Sequence, residues 1–458
     1  METKMELFDY QVEDADFLTQ RTCAGLFSGM GTGKTRIALE ACRKLRAHDK
    51  CSKVIVVGPP ISLPMWKTEA EDHLDWHDHV VILKTGKTVI PADARVLICS
   101  YTIATTRRDD LRQWNADVLI MDESHAIKTP TAKRTQALIG FRDSIADSVD
   151  RVYFLTGTPT VRWSDDLYTF LSRACPDELR TKIGGLSLDK FRLRYCVTQN
   201  RMFGKGRYTK KVQVTVGNRN LEELNDMLFS TPYYSLGAPA TRRELAEVWA
   251  AMPALTVTQT QIDLDLSADL RKSLKLVENM TMAKIAEDLS SQEPALATIR
   301  RELGLAKVKA SISELTARVE EGNGPVLVGV WHRDVIDRIH AGLKENSVRV
   351  AVIDGRTSSA NKEKAQDLWN GGHLDVLLAQ TAAAGVSLNL QEGGHKIVEI
   401  EQDWSPAIQD QFRARLHRIG QAKSVNVEVW SSDTKLDKAI SQIARRKATG
   451  HAAMMATG

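Results

Sequence analysis

The stretch "LFSGMGTGKTRIALEACRKL" occupies residues 26–45. An apolar run leads into it, three glycines at alternate positions follow, and a good amphipathic helix pattern leads out. The order strand, loop, helix is that of one parallel α/β unit. Gly29, Gly31 and Gly33, with Thr32 among them, let backbone N–H groups approach an anion. A helix beginning after Gly33 adds the positive end of its dipole. Lys34 can then reach β- and γ-phosphates, and Thr35 can hold Mg²⁺. The strict pattern G-x-x-x-x-G-K-[ST] wants glycine where Ser28 stands. The bland alternative is a glycine-rich turn that caps a helix.

Outward from this loop, short apolar β-branched runs alternate with helical stretches. The first half carries "KVIVVG", "HVVILK", "ARVLICS", "DVLIMDE" and "RVYFLTG"; the second carries "PVLVGVW", "VRVAVIDG", "DVLLAQT", "HKIVEIE" and "VNVEVW". Continuous apolar strands with helical connections predict parallel sheets covered on both faces. Two such series predict an α/β protein of two parallel-sheet lobes. We expect lobe 1 over 1–160, a helix-rich insertion over 161–322, lobe 2 over 323–448 and a frayed tail over 449–458. Within the insertion, "RYCVTQNRMFGKGRYTKKVQVTV" alternates around a glycine-rich turn, which predicts a β-hairpin near 195–216. "NRNLEELNDMLF", "TRRELAEVWAAM" and "LRKSLKLVENMTMAKIAEDL" are expected as helices.

"VLIMDESHAIK" complements the phosphate loop. An acid at the carboxyl end of a strand beside such a loop can hold Mg²⁺, which is the role open to Asp122. Glu123 next to it can orient and deprotonate an attacking water. "YFLTGTPT" is a third strand exit, where the hydroxyls of Thr156 and Thr158 can relay between this site and a neighbouring lobe. A plain strand-to-turn exit explains that segment as well.

The chain has 458 residues, 43% hydrophobic and 26% charged, with a net charge of +4. That is long enough for two or three domains, and its mildly basic balance is compatible with nucleic acid without requiring it. The six cysteines are scattered with no C-x-x-C, so free thiols in a reducing compartment are expected. The polar, acid-bearing "METKMELFDYQ" is no signal peptide. No apolar run approaches the ~18 residues of a membrane helix. A cytoplasmic protein is expected.

In chain order, "FDYQ", "SGMGTGKT", "VVGPPISLPMW", "ICSYTIA", "DESH", "LTGTP", "VIDGRTSS", "LLAQTAAAGVSLNL", "EQDWSPAIQDQ" and "RLHRIGQ" together resemble the superfamily II helicases of the Snf type. "FGKGRYTKKVQVTVGNRNLEELNDML" and "VGVWHRDVIDRI" look closest to the annealing-helicase branch, and the compact chain resembles bacterial or phage versions. The resemblance implies two RecA-like lobes and use of ATP with Mg²⁺. It implies that Gln11 reads adenine, that Gly385 sits near nucleotide and DNA, and that His125 and Gln421 couple the site to the second lobe. It makes Arg415 and Arg418 arginine fingers. A helix through "QFRARLHRIGQ" would put that pair on one face; without the upstream motifs the same stretch reads as a solvated basic helix end with a glycine stop. The family usually has an acidic pair where Ser28 and Gly29 stand, and a double-arginine motif that Arg242 and Arg243 match loosely.

Basic residues Arg201, Lys205, Arg207, Lys210 and Lys211 on the hairpin can contact phosphates without regard to sequence, or simply protect a solvated edge. Further DNA contacts implied by the family are Pro60, Ser62, Ser100, Tyr101, Thr357 and Thr381. His73 and His77 are spaced as a zinc pair could be, but a solvated loop explains "EDHLDWHDHV" without a metal. Trp331, Trp369 and Trp404 read as core or lobe-interface aromatics. The resulting expectation is a monomeric DNA-dependent ATPase that remodels forks or junctions by branch migration, annealing or unwinding, alongside replication or recombination proteins. The rivals are a duplex translocase that displaces a DNA-bound protein and a nucleotide-dependent DNA clamp with little turnover.

Overall fold

The computed structural model describes residues 7–60, 62–74, 76, 79–160, 163–203, 210–230, 237–249, 252–291, 293–381 and 388–455. The chain divides into two compact units, Met1–Val248 with Gly450–Gly458 and Trp249–Thr449. Residues 161–322 are therefore shared between the two units.

The first unit is built on seven parallel strands. In chain order they are β1 (Cys23–Leu26), β2 (Val54–Gly58), β3 (Val80–Leu83), β4 (Val96–Ser100), β5 (Val118–Asp122), β6 (Arg151–Leu155) and, after the hairpin strands β7 (Cys196–Phe203) and β8 (Lys210–Asn218), β9 (Ala240–Thr241). Their spatial order is β3-β4-β2-β5-β6-β1-β9. Side chains alternate between faces along a strand. Accordingly Ile55, Val57, Leu119, Met121 and Phe154 enter one core, while Val54, Val56, Val118, Ile120 and Tyr153 enter the other. All five residues of β2 are buried, as a strand covered on both faces by helices requires.

The second unit repeats the principle with six parallel strands. These are β10 (Leu255–Gln261), β11 (Val326–Val330), β12 (Val350–Ile353), β13 (Val376–Gln380), β14 (Lys396–Glu399) and β15 (Val425–Ser431). Their order is β10-β15-β14-β11-β13-β12. The 27-residue helix Pro294–Glu320 packs Val308 and Leu315 on one face of this sheet. Its buried Lys307 donates to Ile400 O at 3.1 Å and Trp430 O at 3.2 Å, and pairs with Asp437 at 2.8 Å. A buried ammonium needs that full set of partners.

The antiparallel pair β7 and β8 forms the expected hairpin. Its tip, with Lys205 and Arg207, lies outside the described residues, as do the side chains of Arg201, Lys210 and Lys211. Helices Leu221–Phe229, Ala268–Glu278 and Met282–Ser291 form where expected. Of the helix expected over "TRRELAEVWAAM", the described residues form only Leu245–Val248; its start is lost because Thr241 pairs with β1 as part of β9. Strand β10 is a second unexpected strand. Its seven residues are nearly all exposed, so the apolar run that marks the other strands is missing. The six cysteines are free thiols and all but Cys23 are buried. His73 pairs with buried Glu40 at 2.9 Å, and no metal-holding cluster exists among the described residues.

Candidate active site

Parallel α/β sheets present ligands at the carboxyl ends of their strands. In the first unit three such ends lie side by side, because β6 separates β5 from β1. Leu26 pairs with Leu155 and Leu155 with Asp122. That register brings the loop after β1, the acids ending β5 and the threonines after β6 to one level.

The phosphate loop takes its turn at Gly31 and Gly33, both at φ 79°, where a side chain is strained. A Cβ on Gly33 would also run into the Gln11 amide. Helix Lys34–Arg46 begins directly after it. Lys34 Nζ donates to Ser28 O and Gly29 O, each at 2.9 Å, and its ammonium is 3.5 Å from where a Cβ on Gly157 would be. The lysine therefore lies between the loop and the β6 exit. The adenine-reading expectation for Gln11 meets a different arrangement: Gln11 is buried, and its amide donates to Thr32 O at 3.2 Å. Tyr10 donates to the same carbonyl at 2.8 Å.

Asp122 is the most constrained acid of the site. Trp66 Nε1 donates to its Oδ2 at 2.9 Å and the Glu123 N–H donates to its Oδ1 at 3.0 Å. Burial first, then the Glu123 charge, push its carboxyl up to about 6, against the opposing pull of Trp66, Lys34 and Ser62. Glu123 sits in the left-handed region at φ 50°, a strained conformation for a residue with a side chain. Its carboxylate is 3.3 Å from His125 Nδ1 and accepts from Thr156 Oγ1 at 3.5 Å. Thr156 lies 3.3 Å from His125 Nδ1 and accepts the Thr158 N–H at 3.1 Å. The four residues form one polar cluster on the strained acid.

Several residues assigned from the sequence to DNA make contacts within the protein. Tyr101 is buried and donates to Asp122 O at 2.8 Å. Ser62 is buried beside the same acid, its hydroxyl 3.0 Å from Pro59 O. Ser100 caps helix Tyr101–Thr106 by accepting from Ile103. Thr381 is buried and donates to Val330 O at 3.2 Å, and Thr357 accepts the Asp354 N–H at 3.0 Å. Ser62, Ser100 and Thr357 secure their own loop or helix end, while Tyr101 and Thr381 tie theirs to the end of a neighbouring strand.

In the second unit the helix expected to align Arg415 and Arg418 runs only Pro406–Arg413. Both arginines lie in the turns beyond it. A shared acceptor brings them together instead: Arg415 and Arg418 each aim NH1 at Leu388 O, at 3.2 and 3.4 Å. Arg418 also bonds the Asn389 side chain, and Arg415 Nε donates to Gln411 O at 3.0 Å. Gln421 is buried, with its amide nitrogen 3.0 Å from both Gln391 O and Gly394 O and 3.2 Å from Leu416 O. Gly385 lies outside the described residues.

Two features of the first unit escape sequence reading. One is Trp66. The other is the segment after β9: Gly29 N donates to Arg243 O at 2.8 Å, and Arg243 N donates to Ser28 Oγ at 3.0 Å. Ser28, the departure from the strict glycine pattern, thus anchors a segment 215 residues away. Arg243 also reaches Glu13 at 2.8 Å and Asp14 at 3.3 Å, tying helix Asp9–Thr19 to the loop.

This geometry defines a parallel-sheet protein with a glycine-rich loop, a lysine and paired acids at one sheet edge, and sequence comparison gives the family. Residues 10–191 match the SNF2-related domain and residues 306–420 the helicase conserved C-terminal domain. The chain belongs to the SNF2-type group of superfamily II helicases. It is 26% identical over 430 residues to the mouse (Mus musculus) DNA annealing helicase and endonuclease ZRANB3, covering 92% of this chain and 38% of that protein. The Xenopus laevis SWI/SNF-related matrix-associated actin-dependent regulator of chromatin subfamily A-like protein 1 is 26% identical, with 92% and 41% covered. The chain thus spans about two fifths of these curated relatives. The Sulfolobus solfataricus SWI2/SNF2 ATPase core in complex with dsDNA aligns over 97% of this chain and 92% of that one, at 16% identity and TM-score 0.42.

Proposed function

We propose that the chain is a DNA-dependent ATPase that remodels branched DNA, moving forks or junctions by branch migration, annealing or unwinding. The observation that carries this reading is the convergence of Lys34, Asp122 and the Glu123 cluster at one sheet edge, in a chain related to a DNA annealing helicase. Lys34 and the amides of the loop hold the phosphates of ATP. Asp122 and Thr35 offer oxygen donors only, which suits Mg²⁺, and that ion would neutralise phosphate charge when bound. Glu123 orients the attacking water and takes its proton. His125 and Thr156 hold Glu123, and Arg415 and Arg418 supply charge to the transferring phosphoryl group. A general base and two fingers disfavour a clamp with little turnover. We propose that the protein acts as a monomer. No described helix is long and apolar enough to cross a membrane.

The test is the steady-state ATPase rate with no DNA, single strand, blunt duplex, fork and four-way junction, with Lys34→Ala beside each. Stimulation by fork or junction above blunt duplex is expected, with Lys34→Ala inactive throughout. Equal stimulation by every duplex would move the reading to a translocase that displaces bound proteins. No stimulation by any DNA would overturn it.

A further inference from the structure

We infer that Trp66 is a positioning residue for the metal-binding carboxylate, acting through its indole N–H on Asp122; this rests on the ATPase reading above. Trp66 is fully buried in helix Leu63–Leu74, among the apolar side chains on one face of the first sheet. A buried indole must find an acceptor for its N–H. Here that acceptor is a carboxylate oxygen, at 2.9 Å.

The rest of the local structure serves this contact. Trp66 N donates to Ser62 O at 2.9 Å, which starts the helix at the end of β2. Gly58 has no side chain at that end, and a Cβ there would lie 2.9 Å from Ser62 Oγ and 3.3 Å from Asp122 Cβ. Glycine therefore permits β2, the helix start and the acid to close on one another.

The chemistry follows from the lone pairs. An ionised carboxylate has about four acceptor sites. Trp66 fixes one on Oδ2 and the Glu123 N–H fixes one on Oδ1. Both donors are neutral and rigidly placed, so they orient the carboxylate without cancelling its charge. The Ser62 hydroxyl is a third neutral partner, and the lone pairs beyond these three are left for a cation and its waters. Lys34 bonds the loop carbonyls and acts on Asp122 through its charge. Removing a partner that orients a metal ligand typically costs ~10–100-fold in metal affinity.

The measurement is binding of a fluorescent ADP analogue as a function of Mg²⁺, for wild type, Trp66→Phe and Asp122→Asn. Phenylalanine keeps most of the ring and loses the N–H. Trp66→Phe should raise the Mg²⁺ needed for half-saturation by about 10-fold and leave metal-free nucleotide affinity unchanged. An unchanged Mg²⁺ requirement in Trp66→Phe, with a shifted one in Asp122→Asn, would overturn the inference and spare the site. If wild-type binding ignores Mg²⁺, both the metal role of Asp122 and the inference fall. A second readout does not depend on Trp66→Phe folding. Among the nine tryptophan indole N–H resonances, one should move in Asp122→Asn and on adding Mg²⁺ with nucleotide. If no indole resonance responds to Asp122→Asn, the contact does not exist in solution and the inference fails.

Discussion

The carboxyl edge of the first sheet and the turns around Arg415 in the second unit use hydrogen bonds in opposite senses. At the first, neutral donors from the fold converge on acids: Trp66 and a backbone N–H on Asp122, Thr156 on Glu123. These donors orient the acids and bring no opposing charge. At the second, the cations are turned onto the chain's own carbonyls, two arginines sharing Leu388 O. A preorganised site lowers a barrier because nothing must reorient during reaction. On the proposed reading, a self-satisfied arginine would instead exchange a carbonyl for a phosphate, and the charge-assisted bond to phosphate is the stronger one. One region is built and the other is held in reserve.

The largest test of that contrast is the arginine pair. Arg418→Ala should lower kcat by ~10³–10⁵ while ATP affinity and thermal stability stay near wild type. Arg415→Ala should lose the rate as well as ~1–3 kcal/mol of stability, because Arg415 is buried and holds Gln411 O besides Leu388 O. Single-turnover ATPase and thermal melts separate the two. If Arg418→Ala hydrolyses ATP normally, the second region is a structural clamp and the comparison collapses. Next in size is Glu123→Gln, expected to cost ~10²–10⁴ in rate with nucleotide binding retained. A loss of binding instead would make Glu123 part of the phosphate cradle.

The same contrast explains what could be read from the sequence. The loop after β1 and the acid pair after β5 were legible because strand, glycines, lysine and carboxylates are local in the chain. Ten apolar runs likewise marked ten strands, most of them covered on both faces, with the edge strands β3 and β12 only partly buried. What stayed hidden is non-local or unmarked. Trp66 reaches Asp122 across 56 residues and Ser28 reaches Arg243 across 215. Strand β9 is only two residues long, and β10 is exposed and polar, so neither carries the apolar signature. The helix through Arg415 and Arg418 failed because spacing by three fits a turn with a shared acceptor as well as a helix face. The burial of Ser62, Tyr101 and Thr381 was not legible either, since a motif does not say what a hydroxyl faces.

Gln421 gives a smaller effect confined to the second region. Its amide lies within bonding distance of three backbone carbonyls, and its own carbonyl accepts the Lys423 N–H at 2.9 Å. Gln421→Ala should cost about 2–4 kcal/mol, as buried backbone groups lose partners at ~1–3 kcal/mol each. Nucleotide affinity should not move. A rate loss with an unchanged melting temperature would give Gln421 the coupling role and deny it the bracing one.

The smallest effect concerns the base of the hairpin, where the first unit again uses donors to fix an acid. Arg194 grips Glu223 with two bonds, at 2.7 and 2.6 Å, and Tyr195 donates to it at 2.7 Å. Arg194 first, then the tyrosine hydroxyl, against some burial, bring the Glu223 carboxyl down to about 2 from 4.5. A carboxyl lowered by folding binds fewer protons folded than unfolded, so it stabilises above its unfolded pKa. That contribution fades as pH falls from about 4.5 towards 2. The pair is partly open to solvent, and screening keeps the effect modest. Glu223→Gln should therefore melt slightly below wild type at neutral pH, and the gap should close on acidification through that window. A gap independent of pH would mean that glutamine disturbs the packing of helix Leu188–Tyr195 against Leu221–Phe229 and that the charge contributes nothing. The hairpin would then be held by shape alone, unlike the acids at the phosphate loop.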